Sequence, residues 1–203
     1  LWSGKFALET NYYGICTGHS ADGSTEVPAL TDWLAKLLAR LAGQKTGEPP
    51  ITFGDLKKMA GVEVVLMTTN VTHGRPYRLP LSNSLFFFKE SDMRALFPCD
   101  VVDHLVKTGK ANVEGTDKDS KRRKFAQQGF LPFPNEDDLP LVVGARMSLS
   151  FPILLSAVPL YSVDYTLKAN SGTDTPELER CWFSDGGICS NLPIHLFDSF
   201  VPS

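Results

Sequence analysis

The segment Cys181-Trp-Phe-Ser-Asp-Gly-Gly-Ile-Cys-Ser-Asn-Leu-Pro-Ile194 constrains this chain most. An apolar run breaks off at Asp185, two glycines follow at once, and Ser-Asn-Leu-Pro turns the chain onward. This is the pattern of a strand that delivers one carboxylate to its tip. Gly186 and Gly187 put no side chain beside that carboxylate and give the backbone access to φ values that other residues resist. Ligands commonly bind at the carboxyl ends of strands in α/β sheets. Two readings therefore stand: Asp185 as a functional group, or as the cap of a plain Gly-Gly turn.

Upstream, elements of two periods alternate. Leu30, Leu34, Leu37, Leu38 and Leu41 fall on one helical stripe, opened by Pro28 and closed by Gly43, and the stripe is expected to face the core. Thr52-Phe-Gly-Asp55 has capping-box spacing ahead of a short helix to about Ala60. Val62–Asn70 is a β-branched run expected to be a central strand covered on both faces. Thr72–Pro76 reads as a turn, Tyr77–Leu79 as a short returning strand, and Ser84–Lys89, with three consecutive phenylalanines, as a buried strand. Residues 109–124 are charge-rich and poor in core residues, and predict a mobile solvated loop, with anionic headgroups or nucleic acid as the alternative contacts of its Lys121–Lys124 cluster. Leu141–Ser150 carries Gly144, Ala145 and Ser148 on a helix suited to close packing, and Phe151-Pro152 stops it. Leu160–Leu167 and Glu179–Ser184 are the last strands, with a polar loop over residues 168–178. Strands alternating with helices predict an α/β fold with a mainly parallel central sheet and helices on both faces.

The length of 203 residues suits one domain. A net charge of -3 offers no basic footprint and argues against nucleic acid as a partner. Cys16, Cys99, Cys181 and Cys189 form no C-x-x-C pair, so the spacing supports neither a zinc site nor a disulfide framework, and reduced thiols in an intracellular compartment fit best. No apolar run approaches the length of a membrane span and no signal peptide is visible, which fits a cytoplasmic or peripheral membrane location. A start at Leu1 without methionine suggests a piece of a longer protein.

The site chemistry is sparse. Gly18-His-Ser-Ala-Asp-Gly23 lacks the second glycine where a G-x-S-x-G elbow needs it, so Ser20 reads as a loop serine. His19, His73, His104 and His195 form no metal-type i, i+4 pair, and neither a phosphate-binding loop nor a dinucleotide fingerprint occurs. Asn70, Thr72, Ser148 and Ser150 lie where they could line a site, with turn-forming or packing roles as the simpler reading.

At Asp185 the chain resembles a known family. Asp185-Gly-Gly followed by Ser190-Asn-Leu-Pro-Ile194 is similar to the catalytic-aspartate segment of patatin-like phospholipases. Trp33-Leu with Ile51-Thr-Phe-Gly-Asp-Leu56, Leu66-Met-Thr-Thr-Asn-Val-Thr ending in Gly74-Arg-Pro76, and Ala145-Arg-Met-Ser-Leu-Ser-Phe-Pro152 resemble further segments of that family in the same order. The resemblance implies the C-terminal part of a patatin-like three-layer α/β domain over residues 1–203, truncated at its N-terminus. It also implies a lipid acyl hydrolase with a serine–aspartate dyad, acting on phospholipid or other acyl-lipid substrates without cofactor or metal. Of the dyad only the aspartate carries over, onto Asp185, with Gly186 and Gly187 shaping its turn. A serine hydroxyl needs a base to take its proton, and no G-x-S-x-G is present among these residues, so the isolated piece is expected to be inactive. The alternative expectation is a non-catalytic lipid-binding or scaffolding domain that keeps the fold.

Overall fold

The computed structural model describes residues 9–20, 27–45, 47–82, 86–114, 121–135, 137–163, 170 and 176–189. Its strands are β1 (Gly14–Cys16), β2 (Leu66–Asn70), β3 (Arg75–Leu79), β4 (Phe86–Lys89), β5 (Phe130–Pro132), β6 (Ile153–Leu155), β7 (Val158–Val163) and β8 (Leu178–Asp185). Its helices are α1 (Leu30–Leu41), α2 (Phe53–Ala60), α3 (Glu90–Arg94), α4 (Cys99–Glu114), α5 (Lys121–Gln127) and α6 (Leu141–Ser148).

Local chemistry sets several boundaries. Thr52 accepts the Asp55 backbone N–H while Asp55 accepts that of Thr52, so the capping box forms with aspartate in place of the usual glutamate. Gly61 closes α2 at φ 64°, a left-handed conformation that glycine adopts without steric cost. The stripe on α1 is only half core: Leu34, Ala35 and Leu38 pack against the core, whereas Leu30 and Leu41 remain exposed.

The expected mainly parallel sheet is overturned. Six strands run in the order β3-β2-β8-β7-β4-β5, and every neighbouring pair among them is antiparallel. The cause lies in the connections. Residues 71–74 fold β3 straight back onto β2, a step too short for the helical crossover that a parallel neighbour needs, and β8 returns antiparallel along β7, pairing residues 158–163 with 178–183. Among the described residues the one parallel pairing, β1 with β6, belongs to a separate two-stranded sheet.

One face of the large sheet carries Phe86, Phe88, Val158, Leu160, Cys181 and Phe183 into the main core, where Leu96, Phe97, Val101, Leu105, Val143 and Met147 cover them. On the other face Phe87 and Tyr161 pack with Phe125 of α5. The three phenylalanines of β4 are therefore core on both faces. Expected strand Val62–Asn70 is paired only from Leu66, and Val62 is exposed. The predicted loop over residues 109–124 is helical at both its ends: residues 109–114 finish α4, and Gly109 packs so closely that an added Cβ would lie 3.0 Å from Leu131 Cβ. Residues 115–120, most of the 168–178 loop and Ser190–Ile194 lie outside the described residues. Among the described residues no helix is long and apolar enough to cross a membrane.

Candidate active site

Asp185 is the last residue of β8, opposite Thr68 of β2. Its Oδ1 accepts the Gly187 backbone N–H at 2.7 Å, capping the 3₁₀ turn Gly186–Ile188. Oδ2 makes no hydrogen bond among the described residues. The glycines act differently from expectation: neither sits at positive φ. Gly186 is required by space, because a Cβ there would fall 2.4 Å from the Met67 carbonyl oxygen. The turn therefore holds Asp185 by pressing its backbone onto β2, rather than by exploiting an unusual backbone conformation.

Behind the strand end lies a polar network that spacing did not reveal. The Asp185 N–H and the Ser184 hydroxyl both donate to the Ser150 carbonyl, at 3.0 Å and 2.6 Å. The Ser150 hydroxyl donates to the Arg146 carbonyl at 2.8 Å and accepts from the Arg146 guanidinium. That guanidinium also donates to the carbonyls of Thr17 and Ser156, at 2.8 Å and 2.9 Å. Arg146 is 0% exposed, and its charge meets neutral oxygens only. Burial pushes its pKa down to about 10, which leaves it a cation at neutral pH. One buried cation thus ties β1, the end of α6 and the segment before β7 to the strand that ends in Asp185. The one signal in the sequence was a lone arginine inside the small-residue stretch Leu141–Ser150.

Beside the strand end opens an apolar cavity of about 380 Å³, lined by Tyr13, Val71, Ile153, Trp182, Ser184 and Ile188 among others. Tyr13 meets Trp182 edge-on at 4.9 Å between ring centroids. Around it Ile15, Leu149, Phe151, Ile153 and Leu154 are all at least half exposed, an apolar surface of the kind that binds something else. A larger hollow of about 570 Å³ between α1 and α4 is lined by Asp32, Lys36, Arg40, Lys45, Glu48 and Asp100, and lies apart from Asp185.

Asn70, Thr72, Ser20 and His19, singled out by sequence, have structural partners. Asn70 Oδ1 accepts the His73 N–H, and Thr72 Oγ1 accepts the Trp182 N–H, so both shape the β2–β3 turn. Ser20 gives its backbone N–H to Asp32, whose other oxygen meets His19 at 2.9 Å. Gly14 is fixed by close approach, since a Cβ there would sit 2.2 Å from the Ser156 nitrogen.

Residues 21–198 match the family model described as patatin-like phospholipase. A curated protein of Rhizobium meliloti (strain 1021), the "RpoH suppressor", is 34% identical over 96% of this chain. The chain spans 36% of that relative's length. No solved structure matches. With the family model covering most of the chain, including Asp185 and the Ser190-Asn-Leu-Pro segment, the chain belongs to the patatin-like phospholipase family.

Proposed function

We propose that this chain is part of a lipid acyl hydrolase in which Asp185 is the base of a serine–aspartate dyad. The observation that carries the reading is the placement of Asp185. A carboxylate at a strand tip, anchored through Oδ1 by one backbone N–H, ends the strand whose Trp182 and Ser184 line an apolar cavity of about 380 Å³. The division suits ester hydrolysis. The cavity takes the acyl chain, while Asp185 draws the proton from a serine hydroxyl as it attacks the carbonyl carbon. The protonated carboxyl then gives that proton to the alcohol oxygen as its bond to the carbonyl carbon breaks. The acyl-serine left behind is hydrolysed by water activated by the same carboxylate, the serine hydroxyl being restored. A G-x-S-x-G elbow is not among the 203 residues, so the nucleophile and its oxyanion donors come from elsewhere in the protein. In this reading Arg146 is a positioning residue, acting on Asp185 through Ser150.

The test is hydrolysis of phospholipid vesicles and of a short-chain nitrophenyl ester by the full-length protein and its Asp185→Asn variant. The variant is expected to lose activity by about 10²- to 10⁴-fold, the usual worth of general-base help. Undiminished hydrolysis by the variant sinks the assignment of Asp185. The exposed apolar surface around Ile153 and Leu154 favours a second reading, lipid binding without catalysis. It is distinguished by vesicle co-sedimentation with no release of fatty acid from the full-length protein.

A further inference from the structure

Three side chains far apart in sequence converge at the opposite end of β8 from Asp185. His73, in the β2–β3 turn, brings Nε2 to 3.1 Å from Glu179 Oε2 and 3.8 Å from Cys181 Sγ. All three donor atoms lie within 4.8 Å of one another. Glu179 and Cys181, two apart on one strand, project from the same face of the sheet. Cys181 is fully buried and in no disulfide, while the side chains of His73 and Glu179 are 33% and 37% exposed.

The arrangement does not suit a nucleophile relay. A relay sets the imidazole between thiol and carboxylate, with each on a different ring nitrogen. Here both meet the same nitrogen, and Nδ1 faces the Asn70 amide at 3.2 Å. Donors gathered on one point are what a cation requires. In tetrahedral zinc sites the metal lies about 2.0–2.3 Å from each N, O or S ligand, which puts neighbouring ligands about 3.3–3.8 Å apart. The pairs at 3.1 Å and 3.8 Å already bracket that spacing.

We propose that His73 Nε2, the Glu179 carboxylate and the Cys181 thiolate form a mononuclear site for a borderline divalent cation of the zinc type. The mixed N, O and S donor set selects against Mg²⁺ and Ca²⁺, which take oxygen ligands, and favours Zn²⁺ or Co²⁺. Binding converts the thiol to a thiolate and releases its proton to solvent, so affinity rises with pH. The imidazole proton moves from Nε2 to Nδ1, and the Asn70 amide turns its Oδ1 from the His73 backbone N–H to the ring N–H, the outer contact that orients a ligating histidine. Water completes the fourth position on the exposed side of the site. Four residue steps of extended strand, about 13 Å, lead from Cys181 to Asp185, so the metal stands clear of the ester chemistry and clasps the β2–β3 turn to β8.

The experiment takes the purified protein, loads it with Zn²⁺, removes excess by gel filtration and measures metal by elemental analysis. A parallel titration with Co²⁺ follows the thiolate-to-cobalt charge-transfer band. The expected result is about one metal per chain with a thiolate band, and binding weakened by at least about tenfold in His73→Gln and in Glu179→Gln. Cys181→Ala removes the band. His73→Gln lies on an exposed turn and leaves the core intact, so its loss of metal cannot be ascribed to unfolding. Added chelator is expected to lower Tm for the wild type and leave His73→Gln unmoved. No bound metal, or metal bound equally by wild type and His73→Gln through Cys16, Cys99 or Cys189, overturns the proposal.

Discussion

Phe88 and Ile153 are both large apolar residues in short strands, yet Phe88 is 0% exposed and Ile153 is 65% exposed. β4 lies within a six-stranded sheet covered by helices, whereas among the described residues β6 pairs only with three-residue β1. An isolated two-stranded ribbon is marginal in water. This one is held by polar ties instead: the Ser156 N–H on the Cys16 carbonyl, the Ser156 hydroxyl on the Asn11 and Cys16 carbonyls, and Arg146 across Thr17 and Ser156. The contrast teaches that apolar character makes a strand but does not decide what covers it. One apolar region is sealed by the chain's own helices, and the other stays open beside Asp185.

Substitutions that treat the two regions alike should fail to behave alike. Phe88→Ala should cost about 3–5 kcal/mol in denaturant unfolding, since it empties a sealed core; a cost below about 1 kcal/mol would mean that the core is not closed there. Gly186→Ala should cost about 1–3 kcal/mol, because the new methyl meets backbone rather than a movable side chain. In the full-length protein the same change should also slow ester hydrolysis by displacing Asp185. Thr52→Ala removes the capping box and should cost about 1 kcal/mol, read from the same unfolding curves.

The second face of the sheet allows a check by pH. Burial, followed by the hydrogen bond to Asp92, pushes the Tyr161 phenol up to about 12 from 10.0. The folded protein therefore holds that proton more tightly than the unfolded chain does. Its contribution to stability is complete below pH 10.0 and is lost as pH rises through about 12. Tyr161→Phe should flatten that alkaline fall, and an unchanged slope would show that another group causes it. The smallest effect belongs to the open face: Leu154→Ser should change stability by no more than about 0.5 kcal/mol while reducing binding of an apolar fluorescent dye. A large loss of stability there would erase the distinction between the two regions.

Local signals were legible. Thr52 and Asp55 announced a capping box, Pro28 and Gly43 bracketed α1, and the break after Ser184 marked the end of β8, because each depends on neighbours within a few residues. Strand direction was not legible, since alternating elements do not say which strands become neighbours. The steric reason that position 186 takes glycine was not legible for the same reason: the constraint comes from Met67, far away in sequence. Arg146 and the meeting of His73 with Glu179 and Cys181 left no spacing to read, as their partners lie up to 129 residues away.

The sequence alone determined the caps of α1 and α2, the family and the choice of Asp185 as the residue to watch, because short-range sterics and ordered motifs are written along the chain. Tertiary structure alone decided the antiparallel order of the sheet, the burial of Arg146 behind Asp185 and the open apolar surface beside it. Each of these depends on which distant segments exclude water from one another, and that is a property of packing in three dimensions.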